Sequence, residues 1–403
     1  MQENLKLSNR ITELEESKTI AMARLSRDLK KAGKDIISLS LGEPDFVTPT
    51  EILEGAKKAI DDGFTFYPPV NGFLDLREAI ANKFKTENDL DYSTDQIVVS
   101  NGAKQCLINT FLCTLNPGDE VIVPTPFWVS YLSMAQLSGA SVKYIDTTID
   151  ADFKITAEQL ENAITSKTKA FVFSSPSNPT GAAYTKEELA ELVKVFEKHP
   201  QVIIISDEIY EHLNFAFKHG SIANFSSMKD RTVVINGVSK AYAMTGWRIG
   251  YMAAPEHIAK ACQKLQGQFT SGACSVAQKT ALAALKSDKQ LLTRLNTLFK
   301  QRRDNLIEKI KCIDGFKVNK PEGAFYLFPE VSSYFNAQIG DKKISNANDL
   351  CMYLLEDAGV SMIPGDAFGS PNNIRIAYAI SEEVINKAID RVNHSLQKLN
   401  SFA

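Results

Sequence analysis

The sequence predicts an α/β protein built on a mostly parallel sheet with helices on both faces. Three observations lead there. Short, continuous apolar runs recur from Ile97 onward, helical periodicity fills several of the gaps between them, and polar clusters follow several run ends. Strands that are apolar on both sides belong to sheets covered on both faces. Seven runs qualify, at 97–99, 120–123, 142–145, 170–173, 202–205, 232–235 and 249–253.

The other elements follow in chain order. Residues 19–31 carry Ile20, Ala23, Leu25 and Leu29 at helical spacing, with Gly33 as a stop. Residues 36–41 read as a strand entering the Gly42-Glu43-Pro44-Asp45 turn, and Thr50 as the N-cap of a helix through Ile60. Thr156-Ala157-Glu158-Gln159 and Thr185-Lys186-Glu187-Glu188 are capping boxes. A helical stretch over about 275–313 leads into a second, smaller α+β unit. Its expected strands are 316–318, 324–327, 360–363 and 373–377, with helices near 348–358 and 381–399.

In parallel α/β sheets, ligands sit beyond the carboxyl ends of the strands. The clusters at those ends include Ser100-Asn101-Gly102-Ala103-Lys104, Ser177-Asn178-Pro179-Thr180-Gly181, Ser206-Asp207-Glu208-Ile209-Tyr210 and Ser239-Lys240. They gather an amine, a carboxylate, an amide and an anion site around one crevice. That inventory suits pyridoxal 5′-phosphate, which needs a lysine for its Schiff base and an acid for its pyridinium nitrogen. An apolar setting lowers the pKa of Lys240 and makes it nucleophilic. Asp207 ends an apolar strand, with Glu208 as competitor on the same turn, and an acid there also suits a helix cap. Gly102 and Ala103 precede a helix over 105–115, whose positive end attracts a phosphate. Arg248 adds a fixed positive charge and Ser239 a hydroxyl. Arg375 offers the planar fork that pairs with a substrate carboxylate. Lys104 sits in a first helical turn, where a cation is disfavoured by about 0.3–1 kcal/mol unless it meets an anion.

These motifs, running from Ser38-Leu39-Ser40-Leu41-Gly42-Glu43-Pro44-Asp45-Phe46 to Asn373-Ile374-Arg375-Ile376-Ala377-Tyr378, resemble in their order the class I aminotransferases of PLP fold type I. The chain is most similar to the bacterial aspartate aminotransferase subgroup Ib. The resemblance implies a seven-stranded sheet in which 249–253 runs antiparallel. It also implies an N-terminal arm with part of the small domain (1–49), a large cofactor-binding domain (50–290) and a small C-terminal domain (291–403). Lys240 is then the cofactor's lysine and proton carrier, and Asp207 the partner of the ring nitrogen. Tyr210 and Asn178 meet the 3′-oxygen, Trp128 stacks on the ring, and Gly42 and Arg375 hold the substrate carboxylate, with Asn178 and Trp128 bordering the substrate. Lys104 joins the cofactor-binding run and reads a second carboxylate. Tyr67 reaches the phosphate of a neighbouring subunit, which implies a homodimer with shared sites. Gly237 stands where the family often has serine, so the hydroxyl that supplements the phosphate cradle stays open. The implied reaction is ping-pong transamination, with L-aspartate and 2-oxoglutarate as first choice. Prephenate, alanine or aromatic amino acids, and a β-lyase on the same fold, are the alternatives.

Bulk properties narrow the classes. A net charge of −3 supplies no basic field for nucleic acid and no polybasic membrane patch. With no helix-turn-helix extension, a transcription regulator is disfavoured. Six cysteines form no CxxC and read as buried free thiols of a reducing compartment. The five histidines lack ligand spacing, so no metal centre is expected. Residues 1–10 are polar and no 18-residue apolar stretch follows, which predicts a soluble, cytoplasmic protein.

Overall fold

The computed structural model describes residues 7–340 and 342–399; residues 1–6 of the polar opening lie outside the described residues. Its central sheet has seven strands: β1 (Ile97–Asn101), β2 (Glu120–Pro124), β3 (Ser141–Ile145), β4 (Thr168–Ser174), β5 (Ile203–Asp207), β6 (Thr232–Gly237) and β7 (Ile249–Ala253). Each overlaps an expected run. The spatial order is β1-β7-β6-β5-β4-β2-β3. Only β7 is antiparallel to its neighbours, β1 and β6; the remaining pairs are parallel.

Strand alternation sends side chains to the two faces of the sheet. Val98 joins Ile205, Val233 and Met252 beneath the helices Ala103–Thr114 and Glu256–Phe269. Ile97 and Val99 join Val234 and Tyr251 beneath Leu74–Asn88 and Ser275–Lys286. Both expected capping boxes form, Thr156 with Gln159 and Thr185 with Glu188.

The C-terminal region folds around another core containing Phe299, Leu306, Phe325, Ile376 and Val392. Its antiparallel sheet has the order Ile363–Pro364, Ile374–Ala377, Tyr326–Leu327. The N-terminal segment closes onto it. Ile37–Ser38 pairs in parallel with Val360–Ser361, and Ala377 N donates to Leu39 O at 2.8 Å.

Several expectations require correction. The stretch 275–313 is two helices, Ser275–Lys286 and Gln290–Lys311. Ser287 is extended, and Asp288 Oδ1 accepts from Gln290 N at 2.9 Å, which starts a fresh helix. Residues 360–363 split between two sheets, since Val360–Ser361 and Ile363–Pro364 take different partners. Residues 316–318 contribute only a bridge between Lys317 and Glu330. Of 36–41, only Ile37–Ser38 is strand. Thr50 is the first helical residue, with Pro49 at the cap position. The cysteines are free, but Cys274 and Cys312 are exposed and Cys113 is half-buried.

One close approach fixes the sheet against its helix. A Cβ at Gly250, on β7, would collide with the backbone of Gly102 and Ala103. Gly250→Ala is therefore expected to destabilise the fold by about 1–3 kcal/mol, the usual cost of overpacking. Denaturant unfolding checks it, with Gly246→Ala as control because a Cβ there meets nothing within 4 Å. Equal midpoints for the two variants would refute the constraint.

Candidate active site

The carboxyl ends of β1, β4, β5 and β6 share one edge of the sheet, and antiparallel β7 starts there, so Arg248 arrives at the same edge. A cavity of about 410 Å³ opens at this edge. Gly42, Ala103, Lys104, Trp128, Asn178 and Asp207 line it, as do Tyr210, Ser239, Lys240, Arg248 and Arg375. Gly102 lies beside it, against Arg248. The structure thus brings together every sequence-derived site residue except Tyr67, which is 91% exposed on a loop elsewhere.

Lys240 follows β6 by three residues. Its Nζ donates to Gly42 O at 2.7 Å and lies 5.7 Å from the ring centre of Phe325. Burial, then the charges of Arg375 and Arg248, pull its pKa down to about 8, against the opposing pull of Glu43 and Asp207. Asp207 ends β5 and is buried. Burial pushes its carboxyl up to about 6, while the Tyr131 hydroxyl, donating to Oδ2 at 2.8 Å, works in the other direction. The competing Glu208 faces away from the cavity, toward Ser206, Ser221 and His219. Asp207 is therefore the acid on the cavity side.

An anion site lies at one end. Gly102 adopts φ +82°, and a Cβ there would stand 2.5 Å from Arg248 Nη2. Only glycine lets the guanidinium come so near the start of the Ala103–Thr114 helix, whose first N–H groups have no intrahelical acceptor. Arg248 is itself left-handed, at φ 55°, and its Nη1 donates to Thr245 O at 3.0 Å.

Arg375 marks the other end. It is buried, with Nη1 donating to Asn178 Oδ1 at 2.9 Å and Nη2 to Ser40 O at 2.6 Å. The rings of Tyr326 and Phe368 flank it at 4.6 and 4.9 Å. Its Nε is buried without a hydrogen-bond partner, so the guanidinium retains donor capacity. Lys104 Nζ lies 4.9 Å from the centre of the Trp128 ring. Burial and then Arg248 lower its pKa.

Several residues at the site escaped the sequence. Tyr131 bonds Asp207, and the Tyr326 hydroxyl pairs with that of Tyr210 at 2.8 Å. Ser174, Thr19 and Arg27 also line the cavity. Ser174 closes strand β4, and its place at a strand end was the one available signal; no local motif marks the others.

An amine, a buried acid, a phenol, an amide and a glycine-lined cation at a helix start are the donor set that pyridoxal phosphate requires. The cavity is that of a pyridoxal-phosphate enzyme. The family model described as aminotransferase class I and II matches residues 34–392. An aspartate/prephenate aminotransferase of Cereibacter sphaeroides is 46% identical over 389 residues, which cover 96% of this chain and 97% of that protein. A bifunctional aspartate aminotransferase and glutamate/aspartate-prephenate aminotransferase of Petunia hybrida is 44% identical, covering 98% and 83%. The crystal structure of the aspartate aminotransferase from Rhizobium meliloti superposes with a TM-score of 0.95 at 38% identity, covering 98% and 100%. The chain belongs to the class I and II aminotransferases and is a pyridoxal-phosphate-dependent transaminase of fold type I.

The lowered pKa of Lys240 has a stability consequence. Between about 8 and its ordinary 10.5, the unfolded chain holds a proton that the folded chain has released, so stability rises with pH across that window. Cofactor-free wild type should gain on the order of 2–3 kcal/mol relative to Lys240→Met as pH rises through this window. Denaturant unfolding at several pH values checks it, and parallel curves for the two chains would contradict it.

Proposed function

We propose that this aminotransferase moves the amino group of L-aspartate to 2-oxoglutarate by a ping-pong cycle. The observation that carries the choice of a dicarboxylic substrate is Lys104, which lines the cavity with Arg375 and is not claimed by the cofactor's Schiff base or by the Arg248 anion site. The names of the relatives, aspartate and aspartate/prephenate aminotransferases, support the same choice. Prephenate also carries two carboxylates and is the second reading.

When bound, pyridoxal phosphate supplies an electron-accepting ring joined to the substrate. Gly102, Ala103, Ser239 and Arg248 would hold its phosphate, Asp207 its ring nitrogen, Tyr210 and Asn178 its 3′-oxygen, and Trp128 one ring face. Arg375 takes the substrate's α-carboxylate with Gly42 beside it, and Lys104 takes the distal one. Lys240 Nζ, already low in proton affinity, would take the Cα proton and deliver it on the far side of the amino nitrogen, a 1,3 shift.

We also infer a homodimer with shared sites. Phe66 and Tyr67 are 84% and 91% exposed, an apolar pair suited to burial against a partner. The division into residues 1–49 with 291–403 against 50–290 is part of the same reading; Ile37 and Leu39 share a core with Phe325 and Ile376, which supports grouping the N-terminal segment with the C-terminal region. The free cysteines fit a cytoplasmic location. Among the described residues, no helix is long and apolar enough to cross a membrane.

Two experiments test these points. Losing a charged hydrogen bond costs roughly 1.5–3 kcal/mol. Lys104→Ala is thus expected to lower kcat/KM for aspartate and glutamate by about tenfold or more while sparing alanine and phenylalanine. Equal losses for all four donors would remove the basis for a dicarboxylic substrate. Mixing inactive Tyr67→Ala and Lys240→Ala chains should recover activity, because a hybrid carries one site free of both defects. No recovery after demonstrated subunit exchange would exclude sharing through Tyr67.

A further inference from the structure

Behind the cavity wall lies a second ionic cluster. Asp207 and Glu208 are successive buried acids on opposite sides of the β5 end, with exposures of 5% and 1%. Glu208 Oε1 accepts from Ser206 at 2.8 Å and from Ser221 at 2.6 Å, and Oε2 lies 3.0 Å from His219 Nε2. The groups facing His219 are Glu208, Glu211 and Lys83, and Lys83 is itself paired with Glu211. Tyr92 also lies within reach of Glu208, whose charge, after burial, raises its pKa.

Two adjacent buried carboxylates repel each other, and each favours protonation of the other. Asp207 is pushed upward by burial first and by Glu208 as well. An imidazolium at His219 cancels the second contribution. Burial alone would strip the His219 proton, but Glu208 and then Glu211 hold its pKa above the ordinary 6.5. The pair is sealed, at 8% side-chain exposure for His219 and 1% for Glu208, so solvent screens it weakly.

We propose that Glu208 and His219 form a buried charge-balancing couple that sets the proton affinity of Asp207 and, through it, that of the cofactor bound at Lys240. The proposal rests on Asp207 facing the ring nitrogen. Neither member lines the cavity, so both are positioning residues. With His219 protonated the couple is neutral and Asp207 can stay ionised. With the imidazolium removed, the bare Glu208 carboxylate adds negative charge beside Asp207 and favours the protonated form of the cofactor.

The test is a pH titration of the holoenzyme's visible absorption. His219→Gln is expected to raise the apparent pKa of the spectral transition by about 0.5–1 pH unit. Adding Glu208→Gln to that variant restores a neutral couple and should return the value to that of wild type. The amide oxygen that replaces the carboxylate can still accept from both serines, so the second change relieves charge without removing those contacts. Structural damage would add up across the two substitutions; charge balance is restored by the second. An unchanged or lowered pKa in His219→Gln, or a double variant that stays shifted, overturns the proposal. If His219→Gln does not fold, Glu208→Gln carries the test alone: the NMR titration of His219 must fall by about one pH unit or more, and an unchanged titration overturns it. Lys240→Ala separates this from the cofactor assignment. Borohydride reduction that still fixes the cofactor to the chain in that variant refutes Lys240 as the attachment point, whereas the couple stands or falls on the shifts.

Discussion

The antiparallel strand β7 between β1 and β6 is the constraint on which the site depends. It runs from the ligand edge inward, so the residue just before it, Arg248, stands among the carboxyl ends of its parallel neighbours. Gly250 lets that strand press against the start of the Ala103–Thr114 helix, and Gly102 makes room for the guanidinium. Sheet topology, two glycines and one cation therefore act as a unit. A parallel strand at this place would present its amino end at the far edge and carry the residue before it away from the crevice.

The cavity concentrates charge that the fold alone would avoid. Lys240 loses proton affinity and Asp207 gains it, both because burial disfavours the ionised form. Arg375 is held between two rings by Asn178 and the Ser40 carbonyl, contacts that the protein makes with its own groups. Little reorganisation then remains when a carboxylate arrives, which is the basis of electrostatic preorganisation. The Nε of Arg375, buried without a hydrogen-bond partner, leaves the guanidinium unused donor capacity.

The parts of this architecture legible in the sequence were those governed by local rules. Seven strands could be read because each is a continuous apolar run, and the residues right after several of them fell at the site because strand ends define it. Asp207 over Glu208 was an assignment that spacing alone left open; the side of the strand each faces resolves it. The break at Ser287-Asp288-Lys289 stayed hidden because no glycine or proline marks it. The split near Met362 was equally silent, since four apolar-rich residues look the same whether one sheet or two claim them. Tyr326 and Arg27 reach the cavity, and Tyr131 the carboxylate of Asp207, by tertiary packing, for which a local pattern carries no signal. The Lys83–Glu211 pair, 128 positions apart, is invisible for the same reason.

The pairing of Ile37–Ser38 with Val360–Ser361 bears on how the chain is made. A ribosome delivers Ile37–Ser38 more than 300 residues before the strand that pairs with it. Through most of synthesis the segment that supplies Ser40 and Gly42 has no sheet to join, while the sheet from β1 to β7 can assemble from nearer neighbours. Contacts between distant positions form late because the entropy of closing the loop must be overcome first. Lys240 and Asp207 are translated well before Arg375. A chain cut short ahead of Arg375 therefore lacks the guanidinium proposed to grip an amino acid's carboxylate.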